Sequence, residues 1–352
     1  MSPNDQLAVL SQSGHTLSFF DLATRERIAR IDVLPEGHEL CFDPTTRLLY
    51  ASHTYRSGHW LAHGEPGHEI SVIDVDARTV IDVIDLSPEQ APHALQIDHA
   101  AGLLYVSVEQ GPAGPGGLVA VDLSTYEVLH RISAHAAIPH WAVVTRDGTK
   151  GYTTNKRAPF VSVLDLRAAP SSRADRIRRI PIAGSEGLDL SPDGTRLFVA
   201  TPIITVPPDP DAAYRIQVID TRTDTAVCII ALPEMPSPIH VTNRNHLLVG
   251  MWRIDHGGNG RRFREGLLAA YDATTFEALA QIDIGIGPIN ICSTPDGANA
   301  FVSELQSGTV TIVDLDTYTV TAALAVDRGA NLPRDRSIPN QGAHGMAYLP
   351  AN

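Results

Sequence analysis

The stretch SVIDVDARTVIDVIDL (71–86) decides the fold. A short apolar run ends in Asp74, a polar turn follows, and a second apolar run resumes at once. The same phrase recurs along the chain. Runs ending at Asp21, Asp74, Asp122, Asp165, Asp220, Asp272 and Asp314 are spaced by 53, 48, 43, 55, 52 and 42 residues. The terminal Asp has a mechanical reason, because its carboxylate can accept backbone N–H groups of the turn that follows. Between one Asp turn and the next come a strand, a strand opening with Pro or Gly, and a turn such as RDGTK (146–150) or SPDGTR (191–196). A further strand then reads LLYAS (48–52), LLYVS (103–107) or LFVAT (197–201).

Four short strands per repeat, seven times over, predict an all-β protein, a seven-bladed β-propeller with four-stranded blades and a single domain over residues 1–352. LAVLSQS (7–13), TLSFFD (16–21) and HGMAYLP (344–350) are expected to share the last blade, so that both chain ends close the ring and hide its edge strands. Six or eight blades, or two β-sandwiches, are the alternatives. With A to D naming the strands from the axis outward, the strand after the Asp turn is assigned to A, and the strand opening with Pro or Gly to B.

Composition narrows the class. Hydrophobic residues make up 43% and charged residues 19%, a globular balance that excludes wholesale disorder. The net charge of −13 disfavours nucleic acid and anionic membrane as partners. Cys41, Cys228 and Cys292 are too few and too far apart for a disulfide scaffold or a zinc ribbon. There is no basic N-terminal leader and no 18-residue apolar run, so a soluble, cytoplasmic protein is expected.

SVIDVDARTVIDVIDL, SPDGTRLFVAT and VTIVDLDTYTV (310–320) resemble the YVTN-type repeats of bacterial propellers over nearly the whole chain. That resemblance implies the fold and leaves function open, since such propellers include binding proteins, lactonase-like enzymes, and metal-dependent lyases and oxidases.

The long connections are expected on one face: residues 53–69, 109–117, 201–214, 251–266 and 326–344. Long ordered loops on a rigid scaffold usually carry function. The seven segments GHELCF, PHALQI, PHWAVV, SEGLDL, PIHVTN, PINICS and AHGMAY align His38, His93, His140, Glu186, His240, Asn290 and His344. Five histidines at one structurally equivalent site, in a chain with 15, predict a ring at the channel mouth. Converging neutral imidazoles suit a divalent transition metal, so His38, His93, His140, His240 and His344 are the expected ligands, with Fe or Cu ahead of Zn or Mn. His38, His93 and His140, from consecutive blades, are the first choice for one shared ion.

Glu186 is the expected ligand or base. Glu109, Glu304 and His53, at the ends of the LLYAS-type strands, are expected to orient ligands or move protons. Tyr55, Arg56, Trp60, Arg157, Trp252 and Arg253 are candidate substrate contacts. The pair His59–His63 lacks the helix that would place both on one face. At the level of architecture alone, the ring resembles that of carotenoid-cleaving oxygenases, in which four histidines on a propeller hold iron. The expectation is a metal-dependent enzyme acting on a small molecule, redox chemistry slightly favoured. A lyase, isomerase or lactonase, with Zn or Mn or with metal-free His/Glu acid–base groups, is the alternative. A non-catalytic binding propeller is the other.

Overall fold

A computed structural model describes residues 4–58, 64–112, 114–167, 177–182, 184–202, 213–257, 260–329 and 340–351; side chains are described there except at 256, 257, 260 and 261. Seven antiparallel sheets of four strands each form a β-propeller, and no helix occurs among the described residues. The innermost strands are Gly37–Asp43, Gln90–Asp98, Pro139–Val144, Leu188–Leu190, Met235–Val241, Pro288–Ser293 and Ala343–Leu349, belonging to the first to seventh blades in that order. In the seventh, Ala343–Leu349 pairs with Gln6–Ser11, which continues into Thr16–Asp21 and Arg27–Asp32. The ends therefore close the ring within one blade.

The assignment of strands within a blade differs from the expectation by one place. The strand after the Asp turn is the outermost, not the innermost, and the strand opening with Pro or Gly lies at the axis. Burial gives the reason. Thr79–Asp85 has an exposed face carrying Ile81 and Val83, whereas Leu48–His53 and Glu69–Asp74 are buried on both sides. Middle strands sandwiched between two blades read as continuous apolar runs. In the first blade, Leu49, Ala51 and Ile73 face the seventh blade, while Tyr50, Ile70 and Val72 face the second.

The Asp turns work as expected. Oδ1 of Asp21, Asp74, Asp122, Asp165, Asp220, Asp272 and Asp314 each accepts a backbone N–H two or three residues on. This fixes the reversal into each outer strand.

Candidate metal centre at the channel mouth

The connection into each innermost strand and the connection from second to third strand share a face. Ala91 N, just before His93, donates to Gly67 O in the 53–69 loop at 2.9 Å. Innermost strands begin at this face, so their first residues ring its mouth. In most blades a bulge interrupts pairing of the first strand with the second, as between Gly37 and Leu40, Pro92 and Leu95, and Pro139 and Ala142. A bulge re-aims the side chains it carries. Two residues before Leu40, Leu95, Ala142, Leu188, Ile239, Ile291 and Met346 stand His38, His93, His140, Glu186, Ser237, Ile289 and His344.

The true ring is therefore a contiguous arc of five polar residues, from the seventh blade through the fourth, closed by Ser237 and Ile289. His240 does not belong to it. It pairs with Leu248 in the ladder, with Nδ1 3.2 Å from Asp189 Oδ2 and Nε2 2.8 Å from Ser293 Oγ. The alignment on Pro238 misplaced it, because Pro236 is the counterpart of Pro92. Asn290 likewise sits one residue deeper than Ile289, where its Nδ2 donates to Glu39 Oε2 at 2.6 Å.

The four imidazoles of the arc are packed against one another, edge to face or tilted. Ring centroids of His38 lie 3.8 Å from His344 and 4.3 Å from His93, and those of His93 and His140 lie 3.5 Å apart. All four are buried. A buried hydroxyl from the second strand fills the gap at the bulge. Ser52 Oγ accepts Glu39 N at 3.1 Å and donates to His93 O at 2.8 Å, while Ser107 accepts Ala94 N and donates to His140 O. The backbones of His93 and His140 are thus tied to the preceding blade. Sequence reasoning missed these hydroxyls, although the recurrent Ser of LLYAS and LLYVS was their signal. Residues two before the histidines, Glu36, Ala91 and Ile138, have φ of 54°, 55° and 55°, a strained region for non-glycine residues.

Carboxylates back the arc. His140 lies between two, with Nδ1 2.9 Å from Glu109 Oε1 and Nε2 3.1 Å from Glu186 Oε1. Tyr55 donates its hydroxyl to Glu109 Oε2, and Lys156 Nζ lies 3.4 Å from Glu186. Burial pushes the Glu186 carboxyl up, but the charges of Lys156 and His140 outweigh it and bring it down to about 2. Glu109 is lowered in the same way, burial being outweighed by its bond and charge interaction with His140. Burial, reinforced by the neighbouring imidazoles, holds His93 well below the ordinary histidine range, and burial takes His344 to about 3. Both are therefore neutral, the form that coordinates a metal.

Other expected site residues are elsewhere. His53 and Glu304 pair with Gly37 and Pro288, whereas Glu109 stands one residue beyond Val108, the partner of Pro92. One residue reverses the side of a strand, so Glu109 reaches the arc and the other two turn into their own blades. His53 Nε2 lies 2.8 Å from Ser71 Oγ, and Glu304 accepts from Gly285 N at 3.1 Å. Arg56 is paired with Glu69, and Arg253 with Asp283 at 2.6 Å. Trp252 is buried against Met235 and Leu305 and donates to Pro288 O. Arg157 is exposed, with its charge felt at Tyr55. Trp60, His59 and His63 lie outside the described residues, as do most of 201–214 and much of 326–344.

The donor set fits a metal ion. One ligand atom each from His38, His93 and His140 lie within 4.8 Å of one another, and the same holds for His38, Glu39 and His344. Neither ring nitrogen of His93 has a hydrogen-bond partner, although the residue is 1% exposed.

No protein-family model and no curated protein matches the chain. Solved structures match the fold. The chain is similar to hydrazine synthase of Kuenenia stuttgartiensis, with 17% identity and a TM-score of 0.69 over 89% of this chain and 94% of that one. It is similar to the periplasmic gluconolactonase PpgL of Pseudomonas aeruginosa, with 15% identity and a TM-score of 0.70 over 99% of each. A third likeness is to the dihydro-heme d1 dehydrogenase NirN, with 14% identity and a TM-score of 0.62 over 98% of this chain and 75% of that one. Likeness at these identities defines a seven-bladed β-propeller and no more.

Proposed function

We propose that the protein is a metal-dependent enzyme that acts on a small organic molecule at the mouth of the propeller channel, with a first-row transition ion held by His38, His93 and His140. The observation that carries this reading is His93, buried between two imidazoles with neither nitrogen hydrogen-bonded. An orphaned buried polar group costs about 1–3 kcal/mol, and a coordinated ion removes that cost. Bound there with open positions, Fe or Cu supplies redox or oxygen chemistry, and Zn or Mn supplies polarisation of a carbonyl. We favour redox chemistry, because neutral imidazole ligands leave the positive charge of the ion undiminished.

The chain's own groups have distinct tasks in this reading. With an ion bound, Glu109 would accept the Nδ1 proton of His140 and fix its tautomer, and Nε2, 3.1 Å from Glu186 Oε1, would be the coordinating nitrogen. Tyr55 holds Glu109 in place from its other oxygen. Glu186, beside Lys156 and the Nε2 edge of His140, is the group placed to accept a proton from substrate or water. The repeats are assigned to the YVTN type on sequence pattern alone. Small soluble molecules, rather than nucleic acid or membrane, are the proposed partners, and the cytoplasm the proposed location.

The test is metal content by inductively coupled plasma mass spectrometry, on protein purified without a metal-affinity tag. Near-stoichiometric metal, lost in a His93→Ala/His140→Ala double variant, is expected. Metal content unchanged by both alanines, or no metal after reconstitution, overturns the reading.

A metal-free His/Glu acid–base enzyme is the second reading, favoured by the placing of His140 between two carboxylates. It requires activity that survives chelation and follows a bell-shaped pH profile.

A further inference from the structure

We propose that the arc holds two cations rather than one: the first at His38, His93 and His140, the second at His38, Glu39 and His344, with the His38 imidazole shared between them. The inference rests on the metal-centre reading above and extends it to a site with a carboxylate ligand.

Three observations carry it. The first is reach. Ligands about 2.1 Å from an ion lie at most about 4.2 Å from one another. The donors sort into two groups, and no group among the described residues joins His344 to His93 or His140. A single ion therefore cannot use all four imidazoles as they are placed, whereas each group of three draws its ligand atoms within 4.8 Å of one another, close to that limit.

The second is Glu39. It is 3% exposed, and Asn290 donates to its Oε2 at 2.6 Å, whereas Oε1 has no hydrogen-bond partner and lies 3.6 Å from His344 Nδ1. Asn290 thus leaves one carboxylate oxygen aimed at the imidazole. Glycine at 345, in the intervening blade, permits this approach, since a Cβ there would stand 2.4 Å from His38 O. A buried carboxylate is stable as a charge only when paired or coordinated.

The third is the position of His38, whose ring lies 4.3 Å from that of His93 on one side and 3.8 Å from that of His344 on the other. Imidazole carries nitrogens on two edges, and as the second cation binds, the remaining N–H proton leaves to solvent. The second position, with a carboxylate among its ligands, suits a harder ion than the all-imidazole position.

Copper(II) is the probe. Chelator-stripped protein is loaded with excess Cu(II), desalted and analysed for copper per chain and for its electron paramagnetic resonance. Two Cu(II) per chain with a spin-coupled spectrum are expected, falling to one uncoupled Cu(II) in Glu39→Gln and in His344→Ala. Glu39→Gln keeps the side-chain shape and an acceptor for Asn290, and so covers the case in which His344→Ala misfolds. One copper in the wild type, kept in both variants but lost in His93→Ala/His140→Ala, overturns the second site and leaves the single-ion reading standing. One copper lost in all three variants overturns it in favour of a single rearranged site. No copper in the wild type overturns both readings.

Discussion

Nδ1 of His140 lies 2.9 Å from Oε1 of Glu109, a residue 31 positions earlier in the neighbouring blade. Both side chains are buried, and Tyr55 occupies the other carboxylate oxygen. The chain Tyr55–Glu109–His140 therefore runs from the 53–69 loop into the histidine arc. It makes the orientation of one imidazole depend on a carboxylate and a phenol that stand outside the arc.

Glu109→Gln keeps the size of the side chain and removes its charge. Loss of such a carboxylate partner typically lowers metal affinity about 10–100-fold. Competition between the protein and a chromogenic chelator for Zn(II) measures this. An affinity equal to that of the wild type would show that Glu109 does not position His140.

Glu36 is wholly buried and accepts from Gln12, Ser57 and Gly58 N. Burial outweighs those bonds and raises its carboxyl from 4.5 to about 7. A raised pKa means that the native state binds the proton more tightly than the unfolded chain. Its contribution is then complete below pH 4.5 and is lost as the pH rises through 7. That rise sets a ceiling of about 3 kcal/mol. Glu36→Gln is expected to lose less stability than the wild type between pH 5 and pH 8. Urea denaturation of the metal-free proteins at both values checks it, and parallel pH profiles would refute it.

His240→Ala leaves metal content unchanged, because His240 is held by Asp189 and Ser293 away from the arc. It is expected to cost about 1 kcal/mol of stability through lost hydrogen bonds. Loss of metal in this variant would restore His240 to the ligand set.

Ser107→Ala strands two buried backbone groups, Ala94 N and His140 O. The expected cost is about 1–3 kcal/mol, with weaker metal binding because the His140 backbone is no longer tied to the second blade. Thermal unfolding with and without Zn(II) reads both effects. A variant as stable as the wild type would mean that the hydroxyl bridge is dispensable.

The architecture was legible because its signals are local. Each Asp turn closes over two or three residues, and the middle strands read as continuous apolar runs because both of their faces are buried. Which strand stands at the axis was misread, although the charged, exposed character of TVIDVID (79–85) marks it as outermost. Glu39 was missed because nothing in GHELCF separates a buried carboxylate from a solvated one. Its partner, Asn290, is 251 residues away.

Seven repeats, four strands in each, and a recurrent histidine at the start of the strand that opens with Pro or Gly are therefore written in the sequence. Which of those histidines meet is set by the folded ring. The axis gathers one side chain from each of seven distant strands, and a bulge in the innermost strand sets which residue is presented. A slip in that register carried His240 out of the ring and put Ser237 in its place. In Glu109, a step of one residue turned a carboxylate towards His140, while its neighbours in the same motif, His53 and Glu304, turned into their own blades.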